Sequence, residues 1–196
     1  MCGRFFVETD DETEELRRLV SEMDRRTPGL LKTSGEMAPG DTLPVLAPGR
    51  TRKSGLYAMR WGYRLCSGKL VFNTRSETAM EKPLFRNGII ERRCLIPASG
   101  YFEWDASHVR YRIRPRQSGR IYLAGIYRLE EQTPVFSVLT TSPADVIRPI
   151  HDRMPVILPE HSAAQWLERN ADPAECIRQS GIPLQCLAEG QLQFSL

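Results

Sequence analysis

The chain has 196 residues, 41% of them hydrophobic and 26% charged; this suits one globular domain, with no apolar run near the roughly 20 residues of a membrane span. It starts without the basic-then-apolar pattern of a signal peptide, and its five cysteines (Cys2, Cys66, Cys94, Cys176, Cys186) include no C-x-x-C pair, so a disulfide framework or structural zinc is not expected and the cytoplasm is the expected compartment. The net charge is only +3, yet residues 25–158 carry 22 Lys and Arg against 11 Asp and Glu, and 23 of the 27 basic residues are arginine, a pattern that fits a solvated, arginine-rich surface or a nucleic-acid partner.

The chain opens on "MCGRF". Methionine aminopeptidase trims Met1 when the next residue is small, as Cys2 is, and the mature chain then begins with an amine and a thiol on one residue. The α-amine has a reference pKa of roughly 7.7–8.0 and the thiol about 8.5, so both are available as nucleophiles near neutral pH. Such a 1,2-aminothiol captures aldehydes: the amine forms a Schiff base and the thiolate closes a thiazolidine. It also serves as a plain N-terminal nucleophile.

"TDDETEELRRLVSEMDRR" (9–26) follows and predicts a helix. Thr9 and Glu12 fit a capping box, acids crowd the first turn, and Leu16, Leu19, Val20 and Met23 form the apolar stripe. A Pro- and Gly-rich stretch then surrounds a short strand near 43–47. Further strands are predicted at 56–63, 93–104, 109–114, 120–128 and 134–141, with an apolar run at 154–158. Helices are predicted at 81–88, 143–149, 160–169 and 173–180, with Pro83 and Pro143 in first turns. Many short strands and few helices predict an α+β chain: one domain over 1–196, with a mainly antiparallel, barrel-like β core and peripheral helices.

Three polar stretches stand out besides the N-terminus. "VFNTRSET" (71–78) carries Asn73, Arg75 and Glu77. "IPASGYFEW" (96–104) sets Glu103 between Phe102 and Trp104, flanks that predict a desolvated carboxyl of raised pKa. "RPIHDRMPVIL" (148–158) puts His151, Asp152 and Arg153 before an apolar strand. Singly, each has a plain structural role: Asn73 in a turn, Glu103 a surface acid on an edge strand, His151 a helix C-cap.

Together they are specific. "MCGRF", "FNTRSET", "RCLIPASGYFEW", "AGIYR" and "HDRMPVIL" occur in the order of the SRAP (SOS-response-associated peptidase) family, which the chain resembles along nearly its whole length. The family's central motif is Asn-(Ala/Thr)-Arg-x-Glu-(Thr/Ser); here Thr74 stands where Ala is commoner. Members of this family shield abasic sites in single-stranded DNA, so the expected partner is single-stranded DNA with abasic sites, with single-strand/double-strand junctions left open. The resemblance implies an α+β fold with a barrel-like core and a positively charged channel.

It also implies roles. Cys2 is the covalent nucleophile that forms the thiazolidine with the ring-opened sugar. Glu103 opens the ring and shuttles protons, Asn73 orients the sugar, and His151 assists proton transfer at the imine. Arg4, Arg75 and Arg153 hold phosphates, Trp61 and Trp104 stack on bases, and Pro39 belongs to a wedge loop. AP lyase and peptidase activities come with the family name. No cofactor or metal is expected, and the protein is expected to act as a monomer, associated with the nucleoid when bound to DNA. Two other readings share the residues. Class II glutamine amidotransferases also begin Met-Cys-Gly, and a non-catalytic single-strand binder would use the same arginines and tryptophans.

Overall fold

The computed structural model describes residues 3–8, 17, 20–22, 24–25, 27–49, 53–117 and 119–189. Cys2 and most of the predicted helix 9–26 lie outside the described residues, although residues 17, 20–22 and 24–25 are helical.

Alternation builds the central strands. In β3 (Thr42–Pro48) Leu43, Val45 and Ala47 are buried while the residues between them are half-exposed. β3 pairs antiparallel with β4 (Ser54–Trp61) and with β8 (Arg93–Ala98). β8 pairs antiparallel with β11 (Ile121–Glu130), and β11 with β12 (Thr133–Thr141). The ring closes where β12 runs parallel to β4 through Val135 and Phe136. The result is a five-stranded closed barrel, which leaves no long free edge among these strands. Beyond the end of β4, β12 pairs in parallel with β7 (Asn73–Arg75) through Val138–Thr140, so Asn73 sits where the closed ring gives way. β13 (Met154–Pro155) and β14 (Ile157–Leu158) pair antiparallel with β12 and β11. A small hairpin, β5 (Tyr63–Arg64) with β6 (Leu70–Val71), completes this part.

A second, antiparallel sheet has the order β15 (Leu184–Ala188), β10 (Arg110–Pro115), β9 (Gly100–Trp104), β1 (Arg4–Val7), β2 (Gly35–Met37). The predicted strand 93–104 is thus two strands in two sheets. The chain crosses between them at Ser99, whose N–H donates to Phe6 O at 2.8 Å and whose Oγ accepts from Glu8 N at 2.9 Å. Gly100 permits the close crossing, because a Cβ there would meet Ile113 O at 2.3 Å and the Phe6 ring at 2.6 Å. Phe5, Met37, Trp61, Tyr101, Ile113 and Phe136 belong to the core between sheet and barrel.

Helix α1 (Pro83–Glu91) starts two residues later than predicted, with Pro83 in its first turn as expected, and α2 (Glu160–Leu167) and α3 (Pro173–Arg178) lie near their predicted places. The predicted helix 143–149 does not form. Residues 145–150 make successive turns instead, because Pro149 has no N–H for the ladder and disfavours helical geometry at Arg148. β1, β2, β7 and β15 were not expected from the sequence.

Arg93 ties helices to barrel. It is 4% exposed, its guanidinium donates to Ile89 O at 3.1 Å, to Trp166 O at 2.7 Å and to Glu168 O, and its carbon lies 5.4 Å from the Trp166 ring. These carbonyls belong to the C-terminal ends of α1 and α2, where backbone acceptors have no helical partner. Arg93→Met is therefore expected to lower stability by about 3 kcal/mol, since three buried acceptors lose a charged donor. The measurement is the urea midpoint at unchanged slope.

Candidate active site

Strand β9 sorts its residues by face. Tyr101 is directly opposite Phe5 on β1 and Ile113 on β10, and all three are in the core; Glu103, two residues on, shares that inner face. Phe102 and Trp104 point to the outer face, where Phe102 packs on Phe6 at 5.1 Å. The sequence flanks of Glu103 therefore do not desolvate it. Its inner position does: Glu103 is 2% exposed and sits opposite Tyr111. Burial pushes its carboxyl up to about 7, the positive charge of the chain's amino terminus pulls against this, and Asp152 adds to it. Glu103 is thus not a surface acid. The β1–β9 register pairs Arg4, the first residue of β1, with Phe102, the neighbour of Glu103 along β9.

His151 follows the turns at 145–150. Its imidazole is held below the ordinary histidine range, first by burial and then by the same amino-terminal charge, with Asp152 acting in the other direction. Asp152 acts on both Glu103 and His151, which therefore share one electrostatic neighbourhood. Nδ1 of His151 lies 3.0 Å from the Arg153 N–H and 2.8 Å from Asp152 Oδ1. Asn73 enters from β7 with a buried Oδ1. Its neighbour Phe72 accepts a hydrogen bond from Trp61 Nε1 at 2.9 Å, and Trp61 packs against Phe5 at 5.1 Å, which ties Asn73 to the inner side of β1.

The sequence model of the family described as SOS response associated peptidase (SRAP) matches residues 1–189. The chain belongs to the SRAP family. A relative, the abasic site processing protein YoqW of Bacillus subtilis (strain 168), is 33% identical over 193 residues, covering 88% of this chain and 83% of its own. The abasic site processing protein YedK of Escherichia coli (strain K12) is 27% identical over 190 residues, covering 89% and 83%. A solved structure from Bacteroides thetaiotaomicron has a TM-score of 0.77 at 23% identity, over 95% of this chain and 91% of that one, and shares the fold.

One of the expected DNA contacts of this SRAP chain needs correction. Trp61 is fully buried, packed on Phe5, Phe72 and Phe136, so its ring is a core element and offers no face to a base. Arg153, like Arg4, is engaged by a carboxylate partner. Its guanidinium makes two 2.8 Å bonds to the Glu77 carboxylate and a 2.7 Å bond to Thr140 O. The pairing holds the Glu77 carboxyl below the usual carboxylate range.

The remaining residues are placed as follows. Arg75 is exposed at the end of β7. Arg4 pairs with Glu36 at 3.1 Å from the outer face of β1. Pro39 lies half-buried in the turn between β2 and β3. Trp104 is half-buried on the outer face, with the Arg110 guanidinium 5.4 Å from its ring. Sequence reasoning missed Glu77 as the partner of Arg153. It also missed Arg110 and Arg112, which cover Phe102 at 3.7 and 5.5 Å. The alternation of "VRYRIR" already places these two arginines on one strand face. Among the described residues no group of three or more His, Cys, Asp or Glu is arranged to hold a metal ion, and no helix is long and apolar enough to cross a membrane.

Proposed function

We propose that this protein recognises abasic sites in single-stranded DNA and, once Met1 is removed, joins them covalently through Cys2, shielding the lesion during the response to DNA damage. The observation that carries this reading is Glu103: a carboxyl 2% exposed, with its pKa raised by burial to about 7, and next along β9 to Phe102, which pairs with Arg4, two residues after Cys2. The names of the relatives support the choice of lesion.

In this reading the ring-opened sugar presents its C1′ aldehyde. The Cys2 amine adds to C1′ and water leaves, giving the imine. The thiol then adds across the C=N bond, forming the C–S bond while nitrogen takes up the proton the thiol gave up. No electron is gained or lost. Protonated Glu103 donates to the sugar ring oxygen as C1′ opens, and its carboxylate recovers the proton that the C1′ hydroxyl gives up as the aldehyde forms. Asn73 orients the sugar by hydrogen bonding. Neutral His151 assists the proton transfers at the imine. Arg75 contacts phosphate directly, Arg4 does so by exchanging Glu36, Trp104 supplies a ring for stacking, and Pro39 lines the junction side. AP lyase and peptidase activities belong to the same Cys2-centred site, and the protein acts as a monomer in the cytoplasm.

The test is a denaturing gel with fully Met-trimmed protein and matched abasic and intact oligonucleotides. A shifted band is expected with the abasic strand alone. Absence of that band removes the proposal.

A further inference from the structure

His151 Nδ1 has two neighbours that make opposite demands. The Arg153 N–H, 3.0 Å away, needs Nδ1 as an acceptor, which leaves the ring hydrogen on Nε2. The Asp152 carboxylate, 2.8 Å away, needs Nδ1 to carry the hydrogen. One nitrogen of a neutral ring cannot satisfy both. The two competitors also differ in how firmly they are held. The Asp152 side chain is 81% exposed, so it is free to turn to water. Arg153 is anchored at its other end: its side chain is only 12% exposed, and its guanidinium is forked onto both oxygens of Glu77 and bonded to Thr140 O.

We propose that Glu77 is a positioning residue for His151: by clamping the Arg153 side chain it keeps the Arg153 peptide N–H on Nδ1, and so sets the tautomer that presents Nε2–H to the reaction. The clamp also joins the two segments that carry Asn73 and His151. Glu77 lies in the Ser76–Thr78 turn that directly follows β7, and Thr140 pairs with Arg75 across β12. A bidentate ion pair fixes direction as well as distance, and the guanidinium bridges the turn and the strand. Loosening it lets the 151–153 segment shift, and Asp152 then competes for Nδ1. The proton moves from Nε2 to Nδ1 with no change in ring charge. The inference rests on the catalytic reading of His151, and its primary readout does not depend on catalysis.

The experiment is long-range ¹H–¹⁵N correlation spectroscopy on histidine-labelled protein. The chain has three histidines, and His151→Asn assigns the signal. Wild-type protein is expected to show an unprotonated Nδ1 and a protonated Nε2. Glu77→Ala is expected to move the hydrogen toward Nδ1, and adding Asp152→Ala to that variant is expected to return it to Nε2. Glu77→Gln, which preserves volume and one acceptor, guards against loss of the fold and is expected to give an intermediate pattern. An unchanged tautomer in both Glu77 variants overturns the clamp, whatever happens to the rate. Crosslinking to an abasic oligonucleotide, followed in parallel, is expected to slow about tenfold or more in Glu77→Ala. A shifted tautomer at an unchanged rate leaves the clamp standing and instead removes the role given to His151.

Discussion

Replacing Cys2 by alanine is expected to abolish the denaturation-resistant adduct with abasic single-stranded DNA, while equilibrium affinity for the same strand stays within about 1 kcal/mol, or fivefold. The thiol is needed for only one step, ring closure, because the imine forms through the amine. Alanine is also small enough for Met1 to be trimmed, so the variant keeps its free amine. Its imine hydrolyses in a denaturing gel unless it is first reduced, so a band that returns with borohydride is the second expected result. The pair of gels separates three activities. A plain single-strand binder gives no covalent band with either protein. An enzyme using the amine alone gives the same band with both. A stable adduct in Cys2→Ala at wild-type yield would move the nucleophile elsewhere, and Cys66 would be the first candidate, as the exposed cysteine among the described residues.

Local patterns were enough to find most of the strands and helices, and they failed where structure depends on distant partners. Leu43, Val45 and Ala47 alternate, so β3 is legible. β1 buries Phe5 and Phe6 in succession, one on each side of its sheet, and β7 is three residues held by a parallel partner more than 60 positions away. Neither leaves a periodic trace. Pro149, without an N–H and disfavouring helical geometry at Arg148, is a local signal against a helix over 143–149. The candidate site was legible as a set of residue types in family order, but sequence adjacency misled twice about surroundings. Phe102 and Trp104 neighbour Glu103 along the chain and face away from it, because a strand alternates. Trp61 has the chemistry of a DNA contact and is occupied by the core. The Glu77–Arg153 pair spans 76 positions and has no local signature.

Glu103→Gln is expected to slow adduct formation by about 10²–10⁴-fold, to slow adduct reversal as well, and to raise stability above neutral pH. The first two effects follow from proton transfer. Glutamine keeps the shape and hydrogen-bonding capacity of the carboxyl but cannot give up a proton to the sugar and recover it. The wild-type rate should rise with pH as the amine, of reference pKa roughly 8, loses its proton, and should fall as Glu103 loses its own through about 7. The variant should lose the falling limb assigned to Glu103. The third effect has its sign fixed by linkage. Burial raises the folded-state pKa from an ordinary 4.5 to about 7, so between these values the folded state binds more protons than the unfolded state, and stability falls as pH rises. Above about pH 7 the folded protein holds a buried carboxylate, at a cost of up to about 3 kcal/mol that glutamine does not incur. Urea midpoints of the two proteins should therefore separate between pH 5 and pH 8, with the variant the more stable at pH 8. A group that weakens the fold at working pH and yet governs the rate has the profile of a catalytic acid–base. A Glu103→Gln protein that crosslinks at the wild-type rate would make Glu103 a buried structural acid, and the proton transfers would then have to be assigned to His151 alone.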